Sequence, residues 1–499
     1  YEAATGVPEH QIPLVGVTPL QVIAVPIAQM AKETAGTERA KNTVVLGLIA
    51  GWFGIGGEAV MAGISKKLLK KSQELVDANQ RAFDAGVAFA QAHPLKSDMT
   101  VVPSANKGAV KLLTDGNDMC AAAAIFAGCD FFGGYPITPS TEIMQFFTNH
   151  VWKYGGAVLQ AEIAGIGAAV GASFAGKKSM TATSGPGLSL KSEMMGLASI
   201  AELPLVIVDV QRGGPSTGLP TKTEQSDLFA AAFSAHGDVI RPVLAPTSVA
   251  DTFRITVEAF NIAERYQTPV IILSDQEISQ RKETLDPIDT TQFKLEERLR
   301  PTAADLHDYK RFKQTENHIS PISHPGMAGG AYLAAGIEHS ESGAPTNSGN
   351  VHQRMNDKRI KKLDPLKERK DLFEISGNPD APLALVAWGS VAGICREALQ
   401  MAREQGLDVK LMVPYLLYPV AEQTYRDFFA SVQKGLVVEQ SHLAQTFKVL
   451  RMHLDLPKGL QSLARSGANP FLPGEIVAAL HHLLAELQRS HEGKLQPQE

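Results

Sequence analysis

The chain has 499 residues, of which 44% are hydrophobic and 20% charged, with a formal net charge of −5. That length accommodates roughly three domains at ~100–200 residues each, the composition is that of a water-soluble globular protein, and the acidic balance argues against a nucleic-acid surface. Three cysteines, Cys120, Cys129 and Cys395, stand far apart with no C-x-x-C spacing; they suit a reducing cytoplasm, argue against a disulfide framework and are too few for a complete four-cysteine iron–sulfur site in this chain.

Residues 1–95 predict a mostly helical region that starts at Tyr1 without a secretory signal pattern and reads as a fragment of something longer. Within it, PLQVIAVPIAQMAKE predicts a strand leading into a helix. TVVLGLIAGWFGIGG (Thr43–Gly57) predicts a helix, a tight GIGG turn and a second helix, and residues 57–92 keep helical spacing. The Thr43–Gly57 run stops at Glu58, short of the ~18 apolar residues a membrane span needs, so no membrane segment is expected. Residues 96–112 predict a linker. Residues 113–285 alternate apolar runs with small-residue helices, the βα pattern of a parallel sheet, with strands at GCDFFGG, GAVLQAE, KSMTATS, LPLVIVDV and TPVIILSD. Residues 286–378 are polar and irregular. Residues 382–488 return to alternation in PLALVAWGS, VAGICREALQMAREQG, DVKLMVPYLL and GLVVEQS, a second α/β domain. No repeat of fixed period is present.

In an open α/β sheet, ligands sit outside the carboxyl ends of the strands, and here those ends carry polar, Gly/Pro-rich sequence. YPITPST follows the first predicted strand, the second ends in Gln160-Ala161-Glu162, the third opens from Thr183-Ser184 into GPG, and the fourth runs into QRGGPSTGLPTKTEQSD. Pro136 and Pro139 stiffen the first of these turns and push Tyr135 and Thr138 toward extended backbone. Glu162 admits two roles: an acid near a helix N-terminus, favoured by the dipole, or a partly buried carboxylate exchanging a proton with a ligand nitrogen. Arg212 is either a surface ion-pair partner or a guanidinium gripping a carboxylate, with Lys222 close by in sequence. GIGAAVG (Gly165–Gly171) is either a dinucleotide turn or a set of glycines for helix–sheet contact; its spacing is not G-x-G-x-x-G, and no acidic residue ends the next strand. His324 and His339 have no partners at metal spacing and are surface or structural, so no metal site is expected. Gly389-Ser390 and Glu439-Gln440 end strands of the second α/β domain and are read as structural.

Together, YPITPST, QAEIAGIGAAVGASFAG, TSGPGLSL and QRGGPSTGLPTKTEQSDL closely resemble the alpha subunit of 2-oxoacid:ferredoxin oxidoreductases over about residues 113–490. Residues 1–95 resemble the carboxyl-terminal half of that family's gamma domain, without its glycine-rich first strand. The fused order and the segment GGAYLAAGIEHSESG…NDKRIKKL are most similar to the 2-oxoglutarate type. The resemblance implies a thiamine pyrimidine-binding-type α/β domain at 113–285 and a transketolase C-terminal-like domain at 382–488, which would stabilise assembly. It implies thiamine diphosphate with Mg, shared with a beta subunit that carries the diphosphate site and a 4Fe–4S cluster. Ferredoxin would accept the electrons and coenzyme A the acyl group, in a cytoplasmic dimer of alpha–beta pairs; this chain alone would be an incomplete enzyme.

Residue by residue, the resemblance places Glu162 against N1′ of the aminopyrimidine, favouring the imino tautomer whose exocyclic nitrogen takes the proton from thiazolium C2. It places Pro136, Ile137 and Thr138 beside the cofactor, the Thr138 hydroxyl also beside the substrate carboxylate, and Arg212 on that carboxylate. The implied reaction converts 2-oxoglutarate, coenzyme A and oxidised ferredoxin to succinyl-CoA, CO2 and reduced ferredoxin, or runs in reverse. Pyruvate and other 2-oxoacids remain alternatives, as do, in other classes, an NAD(P)-dependent dehydrogenase using GIGAAVG and a non-catalytic scaffold.

Overall fold

A computed structural model describes residues 21–68, 72–96, 108 and 110–495. It divides into two compact units, Tyr1–Ala109 and Val110–Glu499. In the first, helices α1 (Ile27–Ala35), α2 (Lys41–Phe53), α3 (Gly57–Leu68) and α4 (Gln73–Ala92) follow one another. Val44 and Leu48 of α2 meet Ala82 and Ala90 of α4 and Ala31 of α1 in one small core. The helix–GIGG–helix pattern is present. The strand expected in PLQVIAV is not: residues 21–26 are irregular, and Pro19 and Leu20 lie outside the described residues. The described part of this unit offers no partner strand, and a lone strand leaves its N–H and C=O groups unpaired.

In the second unit the strands are β1 (Leu112–Thr114), β2 (Cys129–Gly134), β3 (Ala157–Gln160), β4 (Lys178–Thr183), β5 (Leu205–Gln211), β6 (Val243–Leu244), β7 (Pro269–Asp275), β8 (Glu283–Leu285), β9 (Phe373–Gly377), β10 (Leu383–Ala387), β11 (Val409–Pro414), β12 (Leu416–Tyr418), β13 (Lys434–Glu439) and β14 (Gly459–Ala464). Seven of them form one sheet in the order β12-β6-β7-β5-β4-β2-β3, and five form a second in the order β14-β13-β10-β11-β9. Both are parallel except for their edge strands β12 and β9, which are antiparallel. β1 and β8 make a separate antiparallel pair. Every residue of β4, β5 and β7 is buried, as expected of strands covered on both faces. Three of the four residues of β3 are exposed, because it is an open edge.

The helices that matter for the site are α5 (Gly116–Phe126), α6 (Thr141–His150), α7 (Ile163–Phe174), α8 (Gly185–Leu190), α9 (Ser192–Ile200), α10 (Leu228–Phe233), α11 (Val249–Tyr266), α12 (Gly349–Lys361), α13 (Gly389–Glu404) and α14 (Gln445–His453). Cys120, Cys129 and Cys395 are buried free thiols, and burial pushes Cys120 up to about 11. Among the described residues no helix is long and apolar enough to cross a membrane.

Two expectations need correction. DVKLMVPYLL is not one strand: β11 ends at Pro414, which has no N–H to donate, and β12 crosses to the first sheet, where Leu416 and Tyr418 pair with Leu244 and Val243. The segment 286–378 is not irregular throughout, since it holds α12 and β9. Its helix escapes a hydrophobic-period search because one of its two buried positions is Lys358. That ammonium donates to both oxygens of buried Glu202 at 2.6 and 2.8 Å, and Lys362 donates to the same carboxylate at 2.8 Å. Burial alone would raise the Glu202 carboxyl, but Lys358, Lys362 and Arg311 hold it well below the usual carboxylate range.

The segment is pinned further by Arg298, whose Nε and Nη2 donate to Glu264 on α11 at 2.7 and 2.6 Å and whose remaining donors reach the carbonyls of Ser173 and Lys177. Both side chains are 1–2% exposed. Arg298→Met strips Glu264 of its cation inside the protein and should cost about 3–5 kcal/mol of unfolding free energy, read as a fall in the denaturant midpoint. A loss below about 1 kcal/mol, the value of a surface pair, would contradict this.

Candidate active site

Sheet order decides which loops meet. β5, β4, β2 and β3 are neighbours and parallel, so their carboxyl ends lie along one edge. That edge carries the turn after β2, Glu162 after β3, Ser184 after β4 and Arg212 after β5.

The turn after β2 is held from three sides. Ser140 N donates to Ile137 O at 2.8 Å, Asn117 Nδ2 on α5 donates to Pro139 O at 2.7 Å, and Arg212 Nη1 donates to Thr138 O at 2.6 Å. Pro136 is exposed, Ile137 and Thr138 are half-buried, and the Thr138–Pro139 peptide is cis. The structure therefore joins two of the predicted site residues directly.

Arg212 is 7% exposed, so the surface ion-pair alternative fails. Its Nε has no protein partner. Lys222 lies in the same loop, where its carbonyl accepts from Gly213 N at 3.1 Å, but its side chain is exposed.

Glu162 is the N-cap residue of α7, with φ −75° and ψ −88°, and its carboxylate makes no capping bond. Of the two roles open to it, the partly buried one does not hold for this chain by itself: Glu162 is exposed, just past the edge strand β3 of its sheet. Two residues absent from the sequence-based site flank it. Tyr135 interacts through its hydroxyl with Glu162 and with Thr183, and its phenol is pushed up, chiefly by burial. Lys191 is fully buried, with Nζ 3.4 Å from Glu162 O and 5.0 Å from the centre of the Tyr135 ring. Burial draws its ammonium down to about 8, against the pull of Glu162. The signal available was a lysine directly after the apolar GPGLSL stretch.

GIGAAVG lies inside α7, not in a turn ahead of it. A Cβ on Gly133 would sit 2.2 Å from Gly165 O, so these glycines let the helix lie against β2. The dinucleotide alternative is thereby set aside. His324 is half-buried, its Nδ1 3.0 Å from Pro325 O, and His339 is buried against Phe312 with ring centres 3.9 Å apart, both structural placements.

The second sheet holds the loop that follows Arg212. Gln225 Nε2 donates to Trp388 O at 2.8 Å, Gln440 N donates to Gln225 Oε1 at 2.9 Å, and Gln445 Nε2 donates to Ser226 O at 2.6 Å. Glu439 accepts from Thr446 N and Phe447 N at the start of α14, and Ser390 N in α13 donates to Asp275 Oδ2. Both strand ends are structural, as the sequence suggested.

An acid, a hydroxyl-bearing turn and a buried guanidinium with an unfilled donor share one edge, and Ser184 Oγ beside them is buried without a partner. Such a cradle fits a polar ligand carrying a basic nitrogen and a carboxylate. The family described as pyruvate flavodoxin/ferredoxin oxidoreductase, thiamine diphosphate-binding, matches residues 122–358. Pyruvate ferredoxin/flavodoxin oxidoreductase matches residues 7–89, and pyruvate:ferredoxin oxidoreductase core domain II matches residues 381–465. Fold and site thus define an oxidoreductase subunit built on a thiamine-binding-type α/β domain.

The 2-oxoacid:ferredoxin oxidoreductase 2 alpha subunit of Aeropyrum pernix is 31% identical, with 93% of this chain and 76% of the relative aligned. The 2-oxoglutarate synthase subunit KorA of Methanothermobacter marburgensis is 36% identical over 72% of this chain and 96% of its own. The solved 2-oxoglutarate:ferredoxin oxidoreductase from Magnetococcus marinus, with 2-oxoglutarate, coenzyme A and succinyl-CoA bound, superimposes with a TM-score of 0.85 at 38% identity, over 94% of this chain and 82% of that one. The chain belongs to the 2-oxoacid:ferredoxin oxidoreductase family, as an alpha-type subunit.

Proposed function

We propose that this chain provides the aminopyrimidine side of the active site in a thiamine diphosphate-dependent 2-oxoglutarate:ferredoxin oxidoreductase. The observation that carries this is the meeting of Glu162, Thr138 and Arg212 on one sheet edge, with Arg212 bonded to the Thr138 carbonyl. The overall reaction takes 2-oxoglutarate, coenzyme A and two oxidised ferredoxins to succinyl-CoA, CO2, two reduced ferredoxins and a proton. Bound thiamine diphosphate supplies the carbon nucleophile and the electron sink for decarboxylation. Glu162 holds a proton at N1′ of the aminopyrimidine. Pro136, Ile137 and Thr138 form the wall beside that ring. Arg212 grips the 1-carboxylate of the 2-oxoacid, which serves positioning more than acceleration, since a tight grip opposes departure as neutral CO2.

The same reading assigns residues 1–95 to a partial gamma-type domain, 113–285 to the pyrimidine-binding type, and 382–488 to the transketolase C-terminal-like type, joined by 96–112 and 286–378. Thiamine diphosphate with its Mg ion is shared with a beta subunit, which carries the diphosphate site and the 4Fe–4S cluster; ferredoxin docks there, and the cytoplasmic assembly is a dimer of alpha–beta pairs. The open β3 edge supports such a partner. Trp152 and Tyr154 ahead of β3, Leu159 in it and Ile163 after it are 65%, 72%, 41% and 55% exposed, and an exposed apolar strand edge is what a partner surface protects.

The test is a panel of 2-oxoacids given to the purified alpha–beta complex with coenzyme A and a viologen acceptor. The highest kcat/KM is expected for 2-oxoglutarate. Preference for pyruvate or a branched 2-oxoacid would overturn the substrate, and no turnover of any would overturn the reading.

A further inference from the structure

Three successive carbonyls of the turn after β2 each accept a hydrogen bond. Ile137 O accepts from Ser140 N at 2.8 Å, Thr138 O from Arg212 Nη1 at 2.6 Å, and Pro139 O from Asn117 Nδ2 at 2.7 Å. None of these bonds uses the Thr138 hydroxyl. The first donor belongs to the turn itself and the second to the proposed carboxylate site. The third, Asn117, comes from the first turn of α5, 22 positions away, with its side chain 1% exposed.

Asn117 is itself held. Its amide nitrogen also donates to Glu142 Oε2 on α6 at 3.0 Å, and the other oxygen of Glu142 accepts from Gln280 Nε2 at 3.2 Å. Gln280 ends the short helix Gln276–Gln280 that follows β7, where Gln276 Nε2 donates to Gln280 Oε1 at 3.1 Å. Gly116 lets α5 start against that helix, since a Cβ there would lie 2.6 Å from Ile278 O. Both neighbours of the Asn117 amide are acceptors, so its NH2 group must face them, and its Oδ1 is buried without a protein partner. Two N–H groups serve two acceptors, which neither a hydroxyl nor a carboxylate can do. Gln280, Glu142 and Asn117 thus tie the end of β7 to the turn after β2, although β5 and β4 stand between those strands in the sheet.

We propose that Asn117 is a positioning residue for the 2-oxoacid: it fixes Pro139 O while Arg212 fixes Thr138 O, and together they set the backbone from which the Thr138 hydroxyl projects. The two bonds act on consecutive peptide groups, 138–139 and 139–140, so neither can turn without losing a partner. Pro139 is buried, and a buried carbonyl without a donor is costly. Loss of the Asn117 donor therefore shifts the turn, and a contact group displaced by about 1 Å loses much of its effect on a bound ligand. The positioning role rests on the proposed contact of Thr138 with the substrate, whereas the anchoring of the turn does not.

The experiment compares the wild-type alpha–beta complex with N117D and with the double variant N117D/E142Q. The introduced carboxyl has the shape of the amide, but as a carboxylate it donates to neither neighbour, and when protonated it gives its single hydrogen to the charged Glu142. In the double variant the new amide donates to the new carboxylate, so that contact returns while Pro139 O still lacks its donor. The KM for 2-oxoglutarate should rise about tenfold in both variants, the effect of about one hydrogen bond, with a smaller change in kcat. Hydrogen exchange at the Ser140 amide should quicken in both. The Tm lost in N117D should largely return in the double variant. A KM that stays at the wild-type value, or that recovers together with the Tm, would reduce Asn117 to a structural role. Unchanged exchange at Ser140 would overturn the anchor. Should N117D fail to assemble, the double variant decides by the same KM. If the wild type turns over no 2-oxoacid, the functional reading fails and the positioning role with it, while the exchange still decides the anchor.

Discussion

Glu162→Gln, and more completely Glu162→Ala, should lower 2-oxoacid decarboxylation by about 10²–10⁴-fold while the subunits still assemble. The factor is that of a positioned general acid–base group. The carboxylate caps no helix N–H and is exposed beside the β3 edge, so its removal opens no cavity. Loss of activity then reports on proton handling at N1′ and not on folding. The contact with Tyr135 and the pull on the buried Lys191 ammonium are the structural consequences to control for. Size-exclusion chromatography should show an intact alpha–beta complex, and CO2 release with a viologen acceptor should be nearly abolished. Turnover close to wild type would remove Glu162 from the proton relay, and loss of assembly would reassign it to the subunit interface.

The second large effect is expected at Arg212. A guanidinium bonding a carboxylate contributes about 1.5–3 kcal/mol per charge-assisted hydrogen bond, so Arg212→Ala should raise the KM for the 2-oxoacid by about ten- to a hundredfold. The fall in kcat should be smaller, because the contact is made before the carboxylate leaves. Structure adds a second consequence. Arg212 ties the Thr138 carbonyl. Alanine at this site should therefore also lower thermal stability and loosen the turn after β2. Arg212→Lys keeps the charge but loses the two-pronged fork; it should recover most of the stability and little of the KM. An unchanged KM in both variants would remove the carboxylate assignment.

Much of this was legible along the chain. The predicted strands GCDFFGG, GAVLQAE, KSMTATS, LPLVIVDV and TPVIILSD match β2, β3, β4, β5 and β7; β4, β5 and β7 are buried throughout, and such parallel strands are continuous apolar runs. The polar loops at their carboxyl ends pointed to Thr138, Glu162 and Arg212. Other features were hidden for specific reasons. Asp209 sits inside an apolar run and looks like a surface-facing position of a strand, yet it is buried. Lys191 and Tyr135 belong to the site because α8 brings the Lys191 ammonium to 3.4 Å from the Glu162 carbonyl and 5.0 Å from the Tyr135 ring. β6 is two residues between prolines, too short for a pattern, and β12 looked like the end of β11.

The sequence by itself determined the order of elements, which loops are polar, and which residues of chemical interest end each strand, since hydrophobic period and turn chemistry are local properties of the chain. Only the tertiary structure decided what those residues face. Sheet order brought Arg212 against Thr138 across 74 positions, and it buried Asp209 completely. It also left Glu162 exposed beside the edge strand β3, where the sequence had allowed partial burial as one of two roles. Strand pairing and burial are set by contacts between distant segments, and the charge environment of a carboxyl group depends on those contacts more than on its neighbours in the chain.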